Sequence, residues 1–234
     1  MRSTLSEKQP AYVFVLDQGS RKTGPLIDAP HTGLIIDHHF AEEGGFPQGS
    51  EYVTAHDCPP VATSALLTYE ICLPLHSDPN TKISWLAALG THGDLGNTLK
   101  WKPPFPDMTV TFKKYSKKAI NDAVSRVNAP RRSAAFSVEK AWNAVISAST
   151  PEEISKDENL LAAQAEVRTE TERWAHVPPK FSKDATIAIL TISSAAQIHP
   201  LIATRWAGFL QSNKLEVVYV SCLLFSLNSF AQRN

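Results

Sequence analysis

Two short apolar runs near the start of the chain are each followed directly by an acidic side chain. Residues 11–16 are apolar or aromatic throughout and lead to Asp17, and residues 33–36 lead to Asp37. Continuous apolar runs of this length, rich in β-branched and aromatic residues, are typical of strands buried on both faces of a parallel sheet. Residues 51–54 are a shorter third candidate. The pattern therefore predicts a parallel sheet with acids at the carboxyl ends of two strands.

Helical periodicity begins after this sheet. Pro59 and Pro60 are predicted to open a helix over residues 61–73, and residues 82–89 are predicted to form a second helix that runs into Gly90. Residues 113–127 and 138–148 are two further amphipathic candidates. The capping sequence that starts at Thr150 predicts a charged helix reaching about residue 175, which we interpret as an exposed connector.

Apolar strand patterns return near the end of the chain. Residues 185–192 and 215–220 are predicted strands, and residues 197–210 are a predicted helix between them, whereas residues 222–234 show no clear period. The fold class is therefore α/β. We expect a parallel-sheet domain over residues 1–110, a helical linker region over residues 111–180, and a smaller, partial α/β domain over residues 181–234.

Composition narrows the classes of partner. The chain of 234 residues carries 23 basic and 23 acidic side chains, so no global field attracts nucleic acid or an anionic membrane, and a local site must hold any anionic substrate. Three scattered cysteines indicate no disulfide framework, so we expect an intracellular, cytoplasmic location. No apolar run approaches the ~20 residues that span a bilayer, so no membrane partner is expected.

The sequence Asp37-His38-His39, with Asp17 before it, is the strongest chemical signal from the residues themselves. Carboxylate and imidazole ligands together suit Mn²⁺, Zn²⁺ or Fe²⁺, and two ions bridged by an aspartate can clamp a phosphoryl group during hydrolysis. An aspartate after a strand is also common as a turn or cap residue, and a histidine pair as a solvated or hydrogen-bonded pair. On the residues alone, the metal site and these structural roles stand as equal alternatives.

Four motifs in order resemble the DHH superfamily of phosphoesterases. They are the Asp-His-His sequence after residues 34–36, the Val-Leu-Asp-Gln-Gly sequence of residues 15–19, the segment from Pro59 to Glu70, and the Gly-Thr-His-Gly-Asp-Leu-Gly sequence of residues 90–96. The order and spacing agree over about residues 11–97. The superfamily includes RecJ-type exonucleases, oligonucleotide and cyclic dinucleotide phosphodiesterases, and manganese-dependent pyrophosphatases and exopolyphosphatases.

The resemblance implies metal-dependent hydrolysis of a phosphodiester or a phosphoanhydride, with Mn²⁺ as the cofactor and Mg²⁺ as an alternative. It implies that Asp17 bridges two ions, that His38 is a ligand of the second ion, and that Asp94 completes the shell of that ion. Asp37 would orient the adjacent histidine or support the ligands from behind, and His39 would contact the scissile phosphate. Asp37, His38 and His39 are thus the implied catalytic residues.

The end of the chain resembles the start of the DHHA1-type substrate domain of the same superfamily. The resemblance implies that Ser193, Ser194 and His199 contact a substrate, which would be a phosphate-containing small molecule or a short nucleic acid. The alternatives are that Ser193 and Ser194 cap a helix and that His199 is a structural residue of its first turn.

The chain also departs from the family. The family begins with a strand that ends in a His-x-Asp-x-Asp motif, which supplies most ligands of the first ion, and the ten residues before the first predicted strand contain neither histidine nor aspartate. The substrate domain of the family normally continues into a glycine-rich segment. We therefore expect one bound ion or none in this chain, and a shortened gene product. A catalytically incomplete binding or scaffold protein is the alternative function.

A cluster of basic residues is the remaining candidate for nucleic-acid contact. It consists of Lys113, Lys114, Lys117 and Lys118 around Tyr115, with Arg131 and Arg132 further along. Lysines beside a stacking aromatic ring can follow a nucleic-acid backbone. The same pattern also fits a solvated helix face.

Overall fold

The computed structural model describes residues 5, 7–75, 83–210, 214–223 and 227–232, the last segment by its backbone alone. The chain divides into two compact units, Met1–Val124 and Ser125–Asn234. The three-part division expected from the sequence stays a prediction. No helix within the described ranges is both long enough and apolar enough to cross a membrane.

A three-stranded parallel sheet forms the first unit's framework, as the apolar runs predicted. Its strands are β1 (Tyr12–Leu16), β2 (Thr32–Ile36) and β3 (Ser50–Val53), in that spatial order. The register pairs Leu16 with Ile36 and Ile36 with Val53, so the three strands end level with one another. This level edge brings together the loops that follow the strands.

The outer face of β1 is exposed, so the prediction of burial on both faces was wrong for this strand. Tyr12, Phe14 and Leu16 are 68%, 64% and 53% exposed, whereas Val13 between them is buried. Strand β1 lies at the edge of the sheet, and successive side chains of a strand point to opposite faces. An unbroken apolar run hides this alternation, because both faces carry the same kind of residue.

The helices that follow the sheet in the described part of the first unit are α1 (Ser64–Cys72), α2 (Ser84–Leu95) and α3 (Thr109–Lys114), and a short 3₁₀ turn, Leu73–Leu75, follows α1. Helix α4 (Lys117–Asn128) begins in the first unit and ends in the second. The predicted start of the second helix, at residue 82, lies outside the described residues.

Three predicted helix bounds need correction. Helix α1 begins after Thr63, whose Oγ1 accepts a hydrogen bond from the amide of Leu66 at 3.2 Å, and not at the proline pair. Helix α2 does not stop at Gly90 but continues to Leu95. The segment 113–127 is not one helix, since extended backbone at Tyr115 separates α3 from α4.

Gly90 lies inside α2 because α1 packs against the helix at this position too closely for a side chain. A Cβ at Gly90 would lie 2.4 Å from the Cβ of Ala65, a separation that real side chains do not adopt. The same pair of helices contributes Leu66, Tyr69 and Ala87 to an apolar core. Tertiary packing thus outweighs the low helix propensity of glycine.

The second unit is a mixed sheet with helices. Its helices are α5 (Val138–Ser147), α6 (Pro151–Lys156), α7 (Glu158–Ala175) and α8 (His199–Phe209), and its strands are β4 (Lys180–Phe181), β5 (Ile187–Ile192), β6 (Val217–Cys222) and β7 (Leu227–Gln232). The predicted strand–helix–strand segment is present as β5, α8 and β6, with the two strands parallel. The last strand, β7, pairs antiparallel with β6, although its sequence showed no clear period.

The predicted connector helix is in fact two helices, and it is not exposed throughout. Asp157 has extended backbone, ends α6, and accepts a hydrogen bond on Oδ1 from the amide of Leu160 at 3.0 Å, which caps α7. Leu160 is fully buried, and Val167 belongs to the core formed with β5, β6 and α8. Thr150 does cap α6, as predicted.

Replacing Gly90 by alanine should destabilise the protein. The added methyl group meets Ala65, which has no flexible side chain to move aside, so we expect the free energy of unfolding to fall by about 1–3 kcal/mol. Chemical denaturation followed by circular dichroism measures this change. Gly93→Ala in the same helix is the matched control. Its methyl group would meet only Val124 at 3.8 Å, so it should be neutral or stabilising; equal losses in both variants would contradict the packing argument.

Candidate metal centre

The ends of β1 and β2 place two acids side by side. The amide of Asp17 donates to the carbonyl of Ile36 at 2.9 Å, and the amide of Asp37 donates to the carbonyl of Val53 at 3.1 Å. The strand ladders therefore extend to both aspartates and fix their backbones. Asp17 has a φ of 60°, a left-handed conformation that aspartate tolerates better than most residues. The predicted placement of both acids at the carboxyl edge of the sheet is confirmed.

His38 lies between two carboxylates. Its Nε2 is 3.3 Å from Oδ1 of Asp17 and 3.3 Å from Oδ2 of Asp94. The nitrogen is buried and makes no hydrogen bond with any described residue, because neither contact has hydrogen-bonding geometry. A buried polar atom without a partner is costly. A divalent cation would give this nitrogen a partner beside the two carboxylates, and nitrogen with oxygen donors suits Mn²⁺ or Zn²⁺.

His39 also belongs to the cluster. One potential ligand atom from each of Asp17, His38 and His39 lies within 4.8 Å of the others. Asp94 is not part of this group of three, and it contacts the group at His38 Nε2. It sits in the last turn of α2, where the negative end of the helix dipole disfavours a carboxylate. A bound cation would remove this unfavourable interaction.

Asp37 is buried, and its two carboxylate oxygens form four hydrogen bonds with neighbouring residues. Its Oδ2 accepts from the amide of Ser20 at 3.0 Å and from the Ser20 hydroxyl at 2.8 Å. Its Oδ1 accepts from the amide of His39 at 3.2 Å and pairs with Nδ1 of His39 at 2.7 Å. Burial acts to raise the pKa of Asp37, but these four hydrogen bonds outweigh it and lower the pKa to about 2. Asp37 is therefore an ionised carboxylate that orients His39.

His39 is the exposed imidazole of the site. The hydrogen bond from its Nδ1 to Asp37 raises its pKa, burial opposes this rise, and the charges of Asp37, Asp17 and Asp94 add to it. The bond to Asp37 leaves Nε2 as the outward-facing nitrogen of a side chain that is 60% exposed. This arrangement can present a proton or a positive charge to a bound anion.

Two residues that the sequence analysis missed line the site. A cavity of about 370 Å³ is bounded by Ser20 and Arg21 together with Asp17, Asp37 and His39. Arg21 supplies a permanent cation beside the acids. The loop follows Gly19, whose φ of 111° allows the turn and whose missing Cβ avoids a 2.9 Å contact with Ile35. A hydroxyl and a guanidinium directly after a strand-end Asp-x-Gly are the sequence signal that could have indicated this loop.

The neighbouring residues of the Asp94 motif are structural. His92 is buried, its Nε2 accepts from Nε1 of Trp101 at 2.9 Å, and its Nδ1 therefore carries the proton that it donates to Oδ1 of Asn121 at 2.8 Å. Burial lowers the pKa of His92. Thr91 is buried too and its hydroxyl pairs with that of Thr63 at 3.0 Å. Both side chains hold α2 in place.

The predicted substrate residues of the second unit have different surroundings. Ser193 is exposed, and Ser194 is buried, donates to Oε2 of Glu170 at 2.7 Å and accepts from the amide of Ala196 at 3.1 Å. Neither serine caps α8, so that alternative was wrong: the cap residue is Ile198. His199 is buried in the first turn of α8, where burial lowers its pKa. Their contact with a substrate stays a prediction.

Two solved structures of RecJ share the fold of this chain. The complex of RecJ with Mn²⁺ from Thermus thermophilus superposes with a TM-score of 0.64 at 17% identity, over 95% of this chain and 38% of that protein. The structure of exonuclease RecJ bound to manganese gives a TM-score of 0.62 at 16% identity, over 95% of this chain and 64% of that protein. The chain has the RecJ fold. It spans less than two thirds of the length of either RecJ chain.

The sequence comparisons add nothing to this likeness. No protein-family model matches the chain, and no curated protein matches it. At identities of 16% and 17%, the RecJ structures establish the architecture, and the site residues are argued from their own geometry.

Replacing Ser20 by alanine should make the protein more sensitive to acid. Asp37 contributes stability that is complete above its unfolded pKa near 3.8 and is lost as pH falls toward about 2. The variant loses the hydroxyl bond, so the folded-state pKa of Asp37 rises toward its unfolded value, the contribution to stability becomes smaller, and its loss is complete at a higher pH. We expect a cost of about 1–3 kcal/mol at pH 7. Acid titration followed by circular dichroism gives the unfolding midpoint.

Thr23→Ala serves as the control for this experiment. Its hydroxyl lies in the same loop but donates only to the carbonyl of the neighbouring Gly24. An acid midpoint that moves equally in the two variants, or in neither, would show that the Ser20 hydroxyl does not support Asp37.

Proposed function

We propose that this protein binds a divalent metal ion, Mn²⁺ in the first place, and that the site hydrolyses a phosphodiester or a phosphoanhydride. The observation that carries the proposal is the buried Nε2 of His38, which faces carboxylate oxygens of Asp17 and Asp94 at 3.3 Å each and has no hydrogen bond to any described residue. The RecJ fold and the manganese bound in both RecJ structures support it.

Three side chains would hold the ion, and the others would act on the substrate. Asp17, His38 and Asp94 supply oxygen and nitrogen ligands. A bound ion would lower the pKa of a water molecule and polarise a phosphoryl oxygen. His39 and Arg21 border the same cavity and offer positive charge to the phosphate. Asp37 acts through His39 by holding its Nδ1, which leaves Nε2 free of this hydrogen bond.

The charge distribution and the likeness to RecJ guide the choice of a first substrate. The chain has no net charge, so its affinity for an anion must come from the few cations near the site. One of the two RecJ structures is of an exonuclease. We therefore propose a short nucleic acid as the first substrate to test, with cyclic dinucleotides and polyphosphate as the other members of the class.

A metal-binding protein without catalysis is the second candidate function. One group of three potential ligands, Asp17, His38 and His39, is found in the described part of the chain, and no second group accompanies it there. Hydrolysis by a metal pair needs two ions about 3.5–4 Å apart. A single ion would support binding of a phosphate ligand or a structural role.

Metal binding by the intact chain tests the site directly. We expect isothermal titration with Mn²⁺ to show saturable binding that Asp17→Asn and His38→Gln each weaken by about tenfold or more, because each removes one ligand. Asp28→Asn is the control, since it removes an exposed loop carboxylate of the same unit. If the two ligand variants bind Mn²⁺ as the parent chain does, the assigned centre is wrong.

Hydrolysis separates the two candidate functions. The enzyme should cleave a bis-aryl phosphate or a short oligonucleotide only when Mn²⁺ or Mg²⁺ is added, and Asp17→Ala or His38→Ala should abolish the cleavage. Product formation is followed by absorbance or by gel. Saturable Mn²⁺ binding without cleavage of the bis-aryl phosphate, a short oligonucleotide, a cyclic dinucleotide or polyphosphate would instead support the non-catalytic protein.

A further inference from the structure

The largest cavity described in the first unit lies away from the candidate metal centre. It has a volume of about 720 Å³, against about 370 Å³ for the cavity at Asp17 and His39. The segment before α3, helix α3 and the first turn of α4 form its walls. Its lining residues are mainly aromatic, proline and lysine side chains. Cavities of this size accept ligands as large as a nucleotide.

The wall of this cavity is a fixed aromatic surface. The Trp101 ring centroid lies 5.7 Å from that of Phe105 and 5.6 Å from that of Phe112. Phe105 is buried in the core with Met108, and the Trp101 indole is held by its hydrogen bond to His92. The rings therefore have defined orientations before any ligand arrives, so little conformational entropy is lost when a planar group stacks on them.

The rim of the cavity is cationic. Lys102, Lys113 and Lys117 are exposed, and none of them forms an ion pair with a described residue. Lys117 Nζ lies over the Phe112 ring, 5.1 Å from its centroid, and the His92 ring is stacked on Phe112 with centroids 5.8 Å apart. Phe112 therefore holds an ammonium group at the cavity, and Trp101 is the ring that can receive a planar ligand.

One acid accompanies these lysines. Asp107 lines the cavity, and its Oδ1 accepts from the amide and the hydroxyl of Thr109. Three lysines against one aspartate leave a net charge of +2 on the lining. The cavity thus combines a stacking surface with a local positive charge that the neutral chain as a whole does not have.

We propose that this cavity is a nucleotide-binding site, in which a base stacks on Trp101 and a phosphate group binds Lys113 and Lys117. A planar aromatic group and an anion in one ligand match the two halves of the lining, and a base with its phosphate is the common ligand of this chemistry. The ligand is a free nucleotide or one nucleotide of a single strand.

The site is separate from the metal centre. His92, which holds Trp101, and Asp94, which faces His38, are two residues apart in α2 and so point about 200° apart around the helix axis. The cavity and the metal centre therefore lie on different sides of α2. Binding at the cavity does not depend on catalysis, so this proposal stands independently of the proposed hydrolysis.

Calorimetry with AMP, adenosine, inorganic phosphate and a single-stranded hexanucleotide, on the intact chain in EDTA, tests the proposal. Without a metal ion, Asp17, Asp37 and Asp94 repel phosphate, so EDTA suppresses binding of the anion at the metal centre. We expect AMP or the hexanucleotide to bind more tightly than either adenosine or phosphate. Binding of AMP indicates a free nucleotide as ligand, and binding of the hexanucleotide alone indicates a strand.

Variants identify the cavity. Lys113→Gln with Lys117→Gln should weaken binding by about tenfold or more, because charge-assisted bonds to phosphate are lost. Lys118→Gln with Lys183→Gln removes the same charge from exposed positions outside the lining, and it should change binding less than about twofold because such charges are screened at the surface. Trp101→Leu keeps an apolar side chain but removes the stacking ring, so it should weaken binding of the base, with circular dichroism checking the fold.

Three results would overturn the proposal. They are no binding of either AMP or the hexanucleotide, binding of phosphate as tight as that of AMP, and equal effects of the cavity and control lysine pairs. The second result would show that the aromatic wall does not contact the ligand.

Discussion

The close approach of α1 and α2 at Gly90 decides where Asp94, the last acid of the candidate metal centre, lies. Gly90 and Asp94 are four residues apart and so lie on the same face of α2, one turn from each other. Gly90 meets Ala65 of α1 with no room for a methyl group, and one turn later the Asp94 carboxylate reaches His38. A shift of α2 away from α1 would therefore move Asp94 away from His38. The packing of α2 against α1 therefore also sets the distance between Asp94 and His38.

Asp37 plays the corresponding part on the sheet side. Its buried carboxylate joins the loop after β1, through Ser20, to the loop after β2, through His39. Since four hydrogen bonds occupy its oxygens, it is poorly placed to be a metal ligand, whereas the more exposed Asp17 and Asp94 have carboxylate oxygens facing His38. Burial therefore divides the acids into one that positions a histidine and two that can hold an ion.

Helix α2 lies between the candidate metal centre and the aromatic cavity. On one side it carries Asp94, and on the other His92 orders Trp101 and, through Asn121, helix α4. His92 can accept the Trp101 N–H only while it is neutral, and its burial favours the neutral form. The residues of the Gly-Thr-His-Gly-Asp sequence therefore have different roles. Gly90 and His92 position the helix, and Asp94 faces His38.

The sequence by itself determined the parallel strands and the acids at their ends, because an apolar run can be buried only as an ordered element and parallel strands end at one edge. The Asp-His-His resemblance correctly indicated the RecJ-like fold. Only the tertiary structure decided that β1 exposes Phe14, that α2 continues through Gly90, and that Ser20 supports Asp37. Each of these features depends on residues distant in sequence. Strand β1 lies at the edge of the sheet, Gly90 packs against Ala65 of α1, and the loop with Ser20 folds over the Asp37 carboxylate. Local periodicity contains no information about such neighbours.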